Sequence, residues 1–527
     1  MTAPATLESP RKTGTDRNIT LLFGALLVSM LLASLSQTVL SSALPTIVGE
    51  LHGVEHMTWV ITSYLLASTI VMPVYGKISD SFGRRPVLLA AIVLFVVGSI
   101  YGALAQDMTA LIIARVIQGL GGGGLMILSQ AAIADVIPAR DRGRYMGILG
   151  AVFAVSSVAG PLLGGFFTEG PGWRWAFWIN VPLGVLAVVA TAILLRLPAK
   201  NNATRPRIDY LGMATLGLAT TAIVLVATWG GSTYDWISPE ILGLIGGAIV
   251  LAGLFVLIES RAAEPIMPLM MFRDRNFNLT TVGALLISIP MFGAIGYMPT
   301  YLQMATGATA TEAGLLMIPM MGALLATSVL TGQLVSKTGR YKLPPIIGSV
   351  VMAAGLLLLS TITVDSPVWV ICVAIGVIGL GLGASLQILT LIVQNSFPHT
   401  MVGTATASNN YFRQVGGSLG SAVVGSVFAA RLTSLLAERL PASGSSDTHS
   451  LTPAMVAELP AELHDPIVLS YNEALMPIFV VLVPLAIAAA VVLSFITEKP
   501  LATHIEKEIP AESLAEGQLM PMDGNDR

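Results

Sequence analysis

From residue 19 to residue 42 the chain runs without one Asp, Glu, Lys or Arg. An apolar stretch of about 17 to 25 residues is what a helix needs to cross a bilayer. In lipid the backbone must satisfy its own hydrogen bonds, so only helices and closed barrels can cross. Fourteen such runs follow one another, the last at 475–497. None alternates over about ten residues as a barrel strand does. The expectation is an all-α polytopic membrane protein with fourteen transmembrane helices. Charged residues are 11% of the chain, hydrophobic ones 54%, and the mean hydropathy is +0.79, far from the charge content of a soluble domain. The first 18 residues are polar. The run after them exceeds a signal-peptide core and lacks a cleavage signal, so helix 1 reads as retained.

The basic residues set orientation, because short cytoplasmic loops carry the excess of Lys and Arg. With the N-terminus inside, nineteen fall on inner segments and three more in the C-terminal tail, against Arg174, Arg431 and Arg439 outside. Both termini are therefore expected to be cytoplasmic. A net charge of −3 offers nothing to nucleic acid. The single Cys372 excludes an intrachain disulfide and a cysteine-rich metal site.

The inner turn between helices 2 and 3, "YGKISDSFGRRPVLL", gathers Lys77, Asp80, Arg84 and Arg85, and it has a second copy. Gly76, Gly83 and Arg84 recur as Gly332, Gly339 and Arg340 at an offset of 256 residues. Gly119, Gly121 and Gly123 recur as Gly379, Gly381 and Gly383 at an offset of 260. The chain is thus two parallel six-helix repeats plus two inserted helices, and transporters of that build bind substrate between the repeats. The division expected is an N-terminal tail at 1–18, a first bundle at 19–200, an insertion at 201–262, a second bundle at 263–498 and a tail at 499–527.

Two arginines lie inside crossings, where a charge costs about 2.5 kcal/mol or more and normally faces the protein interior or water. Arg115 is six residues into helix 4, about 9 Å from its outer end. Gln118 lies on the same face and shares its surroundings. The repeat partner of Arg115 is Ile375, so fold symmetry does not demand the charge; the alternative to a functional role is snorkelling to the interface. Arg413 falls near mid-membrane in helix 13 and needs acceptors, either carbonyls or an anionic substrate group. In helix 5, Gly160, Pro161, Gly164 and Gly165 provide close packing and a bend.

These stretches resemble the major facilitator superfamily, in particular its fourteen-helix drug:proton antiporters, over about residues 18 to 500. The opening turn matches the loop signature with Gly76, Asp80, Gly83, Arg84 and Arg85. "LIIARVIQGLGGG" matches the helix 4 signature with Arg115, Gln118 and Gly119. "SSVAGPLLGG" matches the antiporter motif of helix 5, with Ser156 where a glycine is usual. The resemblance implies a latch in the turn that closes the cytoplasmic side, coupling residues around Arg115, and a bend in helix 5 that seals a leak path. Relatives carry an acid in helix 1 where this chain has Ser36, followed by Gln37 and Thr38. A serine cannot carry a proton, and the remaining acids, Glu312, Asp135, Asp209 and Glu55, read as helix-end charges. Proton coupling is implied by the resemblance alone.

The function so implied is secondary active efflux of amphipathic or cationic drug-like compounds by alternating access, in exchange for protons, across the cell membrane. Apolar and aromatic walls such as Tyr64, Phe153, Tyr297 and Phe412, with Ser36, Gln37 and Asn409, would line the pocket. Export of an endogenous lipid or metabolite is the alternative, and a non-transporting receptor is the alternative of another class. Gly119, Gly121 and Gly124 satisfy the dinucleotide spacing but sit inside a helix with no preceding strand. There is no phosphate-binding loop for ATP, no expected cofactor or metal, and no carboxylate pair or activated nucleophile of an enzyme. The outer segment 431–473 reads as polar, with a short surface helix near "RLTSLLAERL".

Overall fold

The structure, a computed structural model, describes residues 14–53, 56–195, 208–231, 233–439, 455–456 and 459–502. Arg11, Lys12, Glu55, the basic residues of 196–207 and most of the C-terminal tail lie outside them.

Among the described residues fourteen helical spans are long and apolar enough to cross a membrane, with 175–194 and 311–338 each joining a short helical turn to the helix that follows. In chain order they are α1 Gly14–Glu50, α2 Met57–Phe82, α3 Arg84–Ala103, α4 Met108–Val136, α5 Ala139–Glu169, α6 Asn180–Leu194, α7 Tyr210–Trp229, α8 Pro239–Glu259, α9 Arg275–Thr306, α10 Ile318–Thr338, α11 Leu343–Ser360, α12 Val368–Ser396, α13 Val402–Arg439 and α14 Ala461–Ser494. Short helical turns, Trp175–Trp178 and Ala310–Leu316, lead into α6 and α10. No strand occurs among the described residues.

The ends are set by local chemistry. Asp107, Asp209, Ser238 and Asp274 each accept a hydrogen bond from a first-turn amide of the helix they precede, satisfying donors that a helix leaves open. Arg142 serves the opposite end of α4, donating to the carbonyls of Ala134 at 2.5 Å and Ile137 at 2.8 Å, where a cation also meets the helix dipole.

Packing repeats itself. In the first six helices α3 lies on α4, α2 on α4, and α1 on α5 and α6; in the last six, α11 lies on α12, α10 on α12, and α9 on α13 and α14. Glycines make these approaches possible. A Cβ at Gly119 would strike the α2 backbone at Tyr64, and one at Gly379 the α10 backbone at Met320. Gly121 and Gly381 abut α3 and α11 in the same way. The offset of 260 read from the sequence is therefore a repeat of contacts. The halves meet through two equivalent pairs, α2 with α13 and α5 with α10, while α7 and α8 pack on each other and α7 reaches α2 and α13.

One expectation needs correction. Residues 431–439 are not a separate surface helix but continue α13, and residues 461–473 already belong to α14, while 440–454 and 457–458 lie outside the described residues. Hydropathy marks where lipid ends, whereas these helices run on, tied together by Arg439 on Glu473 at 2.5 Å and on Ser470 at 3.1 Å.

Candidate functional site

The α2–α3, α4–α5, α10–α11 and α12–α13 turns share one end of the molecule, hereafter the basic end, and here the two halves are closed on each other. Asp80 lies in the last turn of α2, not in the loop that follows, and is 7% exposed. Its carboxylate accepts the amides of Gly403 at 3.2 Å and Thr404 at 2.6 Å and the Thr404 hydroxyl at 2.6 Å, all at the start of α13. Open amides and the positive end of a helix dipole stabilise an anion there. Arg84, equally buried, pairs with Asp80 at 2.5 Å and with Asp135 of α4 at 2.9 Å. Asp135, read from the sequence as a helix-end charge, is here the partner of a buried arginine. Gly76 lets α2 approach α13, since a Cβ would lie 2.8 Å from the Gly403 carbonyl. Gly83 turns the chain at φ +91°, a conformation that favours glycine. Arg85 stands apart from this cluster: it is exposed and donates to the Ala192 carbonyl of α6 at 2.5 Å.

A second clamp lies across the pseudo-twofold relation. Adding 256 to Asp80 gives Ser336, and subtracting 260 from Gly403 and Thr404 gives Gly143 and Arg144. These residues meet: the Arg144 amide donates to Ser336 Oγ at 3.1 Å, and Gly143 and Gly332 are in backbone contact. Gly339, the counterpart of Gly83, also has positive φ, +73°. Arg140 adds bonds to the carbonyls of Ser336 and Lys337 at 3.3 and 3.1 Å. One clamp is held by a buried carboxylate, the other by a hydroxyl. The sequence repeat contains this pairing, but its meaning depends on contacts between helices remote in the chain.

Above the clamps, buried amides bridge the halves. Asn410 of α13 donates to Gln130 Oε1 of α4 at 3.1 Å, and Gln394 of α12 donates to the Gln130 carbonyl and to Thr406, both at 3.3 Å. Asn409 donates to Thr281 of α9 at 3.3 Å. The sequence reading did not single out Gln130 or Gln394. Their signal, polar residues inside apolar crossings, was present.

Arg115 of α4 is 1% exposed. It donates to the Val60 carbonyl at 3.0 Å, to Gln118 Oε1 at 2.6 Å and to Ser36 Oγ at 3.4 Å, and its guanidinium lies 4.2 Å from the Tyr64 ring centroid. Gln118 in turn donates to Ser99 of α3 at 2.8 Å. Ser36 and Arg115 do share a site, and neutral acceptors and an aromatic face surround the cation. Gln37, half-buried on α1, makes no hydrogen bond among the described residues. On α5, Gly160 admits the Thr38 side chain, which donates to the Ser156 carbonyl at 2.8 Å, so this stretch seals α5 onto α1. Gly164 is buried, Pro161 faces Gly314 before α10, and Gly165 meets nothing within 4 Å.

Toward the opposite end α2, α7, α9 and α13 enclose a cavity of about 480 Å³, lined by Thr62, Thr228, Phe292, Tyr297, Gln414 and Ser421 among others, with no charged side chain. Of the aromatics expected to line a pocket, Tyr297 does so; Tyr64 lies under Arg115, and Phe412 packs on Phe272 and Tyr411. Glu259, not singled out from the sequence, is buried at the end of α8 and accepts the Ile266 and Met267 amides at 3.1 and 3.3 Å. Lys77 pairs with Glu264 beside it at 3.5 Å. No cluster of His, Cys, Asp or Glu fit for a metal occurs among the described residues.

Comparison with known proteins bears on what such an arrangement does. Residues 26–421 match the family model of the Major Facilitator Superfamily. An uncharacterized MFS-type transporter of Mycobacterium tuberculosis is 41% identical over 524 residues, covering 99% of this chain and 75% of its own. The multidrug transporter protein MdtP of Bacillus subtilis is 38% identical over 429 residues, 81% of this chain and 79% of its own. In fold, the proton:xylose symporter XylE superposes with a TM-score of 0.59 at 18% identity, covering 92% of this chain and 98% of that one.

Proposed function

Because the chain belongs to the major facilitator superfamily and is a membrane transporter rather than an enzyme, we propose that it exports amphipathic drug-like compounds across the cell membrane by alternating access, in exchange for protons. The observation that carries this reading is the asymmetry of closure. Two repeat-related clamps and an amide layer join the halves at the basic end, whereas a cavity of about 480 Å³ lies toward the other, within the range of a drug-sized site. The basic end is cytoplasmic by the distribution of Lys and Arg. This is then the outward-facing arrangement, with Gly76, Asp80, Gly83 and Arg84 as the cytoplasmic gate and Arg85 outside it. Arg115, Gln118, Gly119 and Ser36 hold α1, α2, α3 and α4 as one moving unit. Gly160, Pro161, Gly164 and Gly165 set the fit of α5 on α1. Resemblance to antiporters supports proton exchange, with Asp80, Asp135 and Glu259 as the carboxylates nearest moving contacts. Expulsion of rhodamine 6G from proteoliposomes of the purified chain, driven by an imposed pH gradient, tests the reading; no net flux of any dye refutes it.

A further inference from the structure

Arg413 is half-buried in the middle of α13, yet it makes no ion pair or hydrogen bond among the described residues. Its direction follows from its neighbours on the helix. At 100° per residue, Thr406, Asn409, Asn410 and Gly417 all lie within about 60° of it. Those residues contact Gln394 of α12, Thr281 of α9, Gln130 of α4 and Phe292 of α9 respectively. Gly416 and Gly420, also within about 60°, abut Leu285 and Ile289 of α9, so Arg413 points along the edge of α9 toward α12, about 4.5 Å outward of the Asn410 bridge to α4 that closes the basic end.

A second orphan lies at that depth. Gln394 and Thr406 are hydrogen-bonded across antiparallel helices; seven residues outward from each are Gln387 on α12 and Arg413 on α13. Gln387 Oε1 is buried and has no partner, and the Gln387 side chain borders α5, 3.5 Å from where a Cβ on Gly150 would stand. A guanidinium without an ion pair thus sits just above the floor of the closed gate, at the depth of a buried amide oxygen that can only accept. The 480 Å³ cavity lies further along α13, from Gln414 and Gly417 outward, and neither Arg413 nor Gln387 is part of its lining. A guanidinium inside a crossing is costly and is normally paired within the protein or directed to water or a transported solute.

We infer that Arg413 is the anchor for an anionic group, so that the solute taken up between the halves is an amphipathic organic anion. The inference rests on the efflux reading and narrows its substrate class. The cavity lining carries no carboxylate that would hold a cation. The chemistry suits a carboxylate solute or an anionic lipid headgroup alike, since either gives Arg413 a charge-assisted pair.

Two xanthene dyes of opposite charge, carboxyfluorescein and rhodamine 6G, test it by fluorescence polarisation with the full chain in phosphatidylcholine nanodiscs. Arg413→Gln is expected to weaken carboxyfluorescein binding by about tenfold or more, the loss of one charge-assisted pair, and Arg413→Lys to restore most of it. Rhodamine 6G binding should stay unchanged or tighten. Equal loss for both dyes, unchanged carboxyfluorescein binding, or no carboxyfluorescein binding by the wild type overturns the inference. If Arg413→Gln does not fold, the wild type still decides: anionic fluorescein must bind more tightly than its uncharged O-methyl ether methyl ester, and equal affinities overturn it. Displacement of the dye by phosphatidylglycerol in the nanodisc identifies the anion as a lipid headgroup; its absence identifies a soluble acid. Rhodamine flux without anion discrimination sinks this inference alone, whereas absence of flux for every dye sinks the efflux reading.

Discussion

Asp80→Asn isolates the charge of the proposed gate from its shape. The amide keeps one oxygen to accept from Thr404, but it loses the pair with Arg84 at 2.5 Å and the anionic acceptor of the Gly403 and Thr404 amides. Arg84 retains Asp135 at 2.9 Å, so no guanidinium is stranded. The loss is that of hydrogen bonds to a charged group, about 2 kcal/mol, and it falls on the closed state because Gly403 and Thr404 belong to the other half. That shifts the ratio of closed to open gates by about thirtyfold. Asp80 is also buried within α2, so a small loss of thermal stability accompanies the shift. Spin labels at Asp141→Cys and Gln333→Cys, exposed positions on either side of the gate, in a Cys372→Ala background would report the two populations by pulsed dipolar distances. A long-distance population should appear in Asp80→Asn. A closed-to-open ratio that changes by less than about threefold would refute the electrostatic account of the latch.

Ser336→Asp places a carboxylate at the Arg144 amide, copying the first clamp, and should slow dye efflux by stabilising the closed gate; unchanged or faster efflux would count against the equivalence of the clamps. Arg115→Lys keeps the charge but not the fork that reaches Val60 and Gln118, so it should lower the Tm in detergent and abolish efflux, whereas Ser36→Ala, removing a contact of 3.4 Å, should reduce efflux only modestly; loss of pH-driven efflux in Ser36→Ala alone would reverse these roles. Outside the membrane, hydrogen bonds from Arg174 and Trp173 hold the Glu50 carboxyl below its ordinary value; a lowered folded value gives stability that is present above the ordinary glutamate range and lost as pH falls through the folded value. The pair is exposed, so the effect is about 0.5 kcal/mol, read as an acid-side Tm decline that Glu50→Gln lacks.

The architecture was legible because lipid imposes it: uncharged runs of crossing length announce helices, and the repeat of Gly76, Gly83 and Arg84 announces a duplicated bundle. Arg115 was legible because a charge inside a crossing has few explanations. The partners were not legible. Asp80 binds amides 323 and 324 positions away, and nothing local to either segment encodes that meeting. Ser336 went unread for another reason: a hydroxyl replaces the carboxylate of the first copy, so matching by charge misses a role preserved by hydrogen bonding. Glu259 was hidden at the end of α8, where it resembles any solvated helix-end acid until the chain folds the Ile266 and Met267 amides onto it.

Alternating access requires that the two ends of the chain open in turn, and reciprocal cysteine labelling measures that directly. In a Cys372→Ala background, Ser421→Cys reports the cavity and Ser328→Cys reports the gate, where Ser328 Oγ donates to the Gly147 carbonyl at 3.2 Å. A membrane-impermeant maleimide applied from the outer side should label Ser421→Cys readily in the otherwise native chain, while Ser328→Cys stays protected from reagent on the inner side. Adding Asp80→Asn should slow the first reaction and speed the second. Rates that rise together, or that do not respond to Asp80→Asn, would contradict transport by this gate.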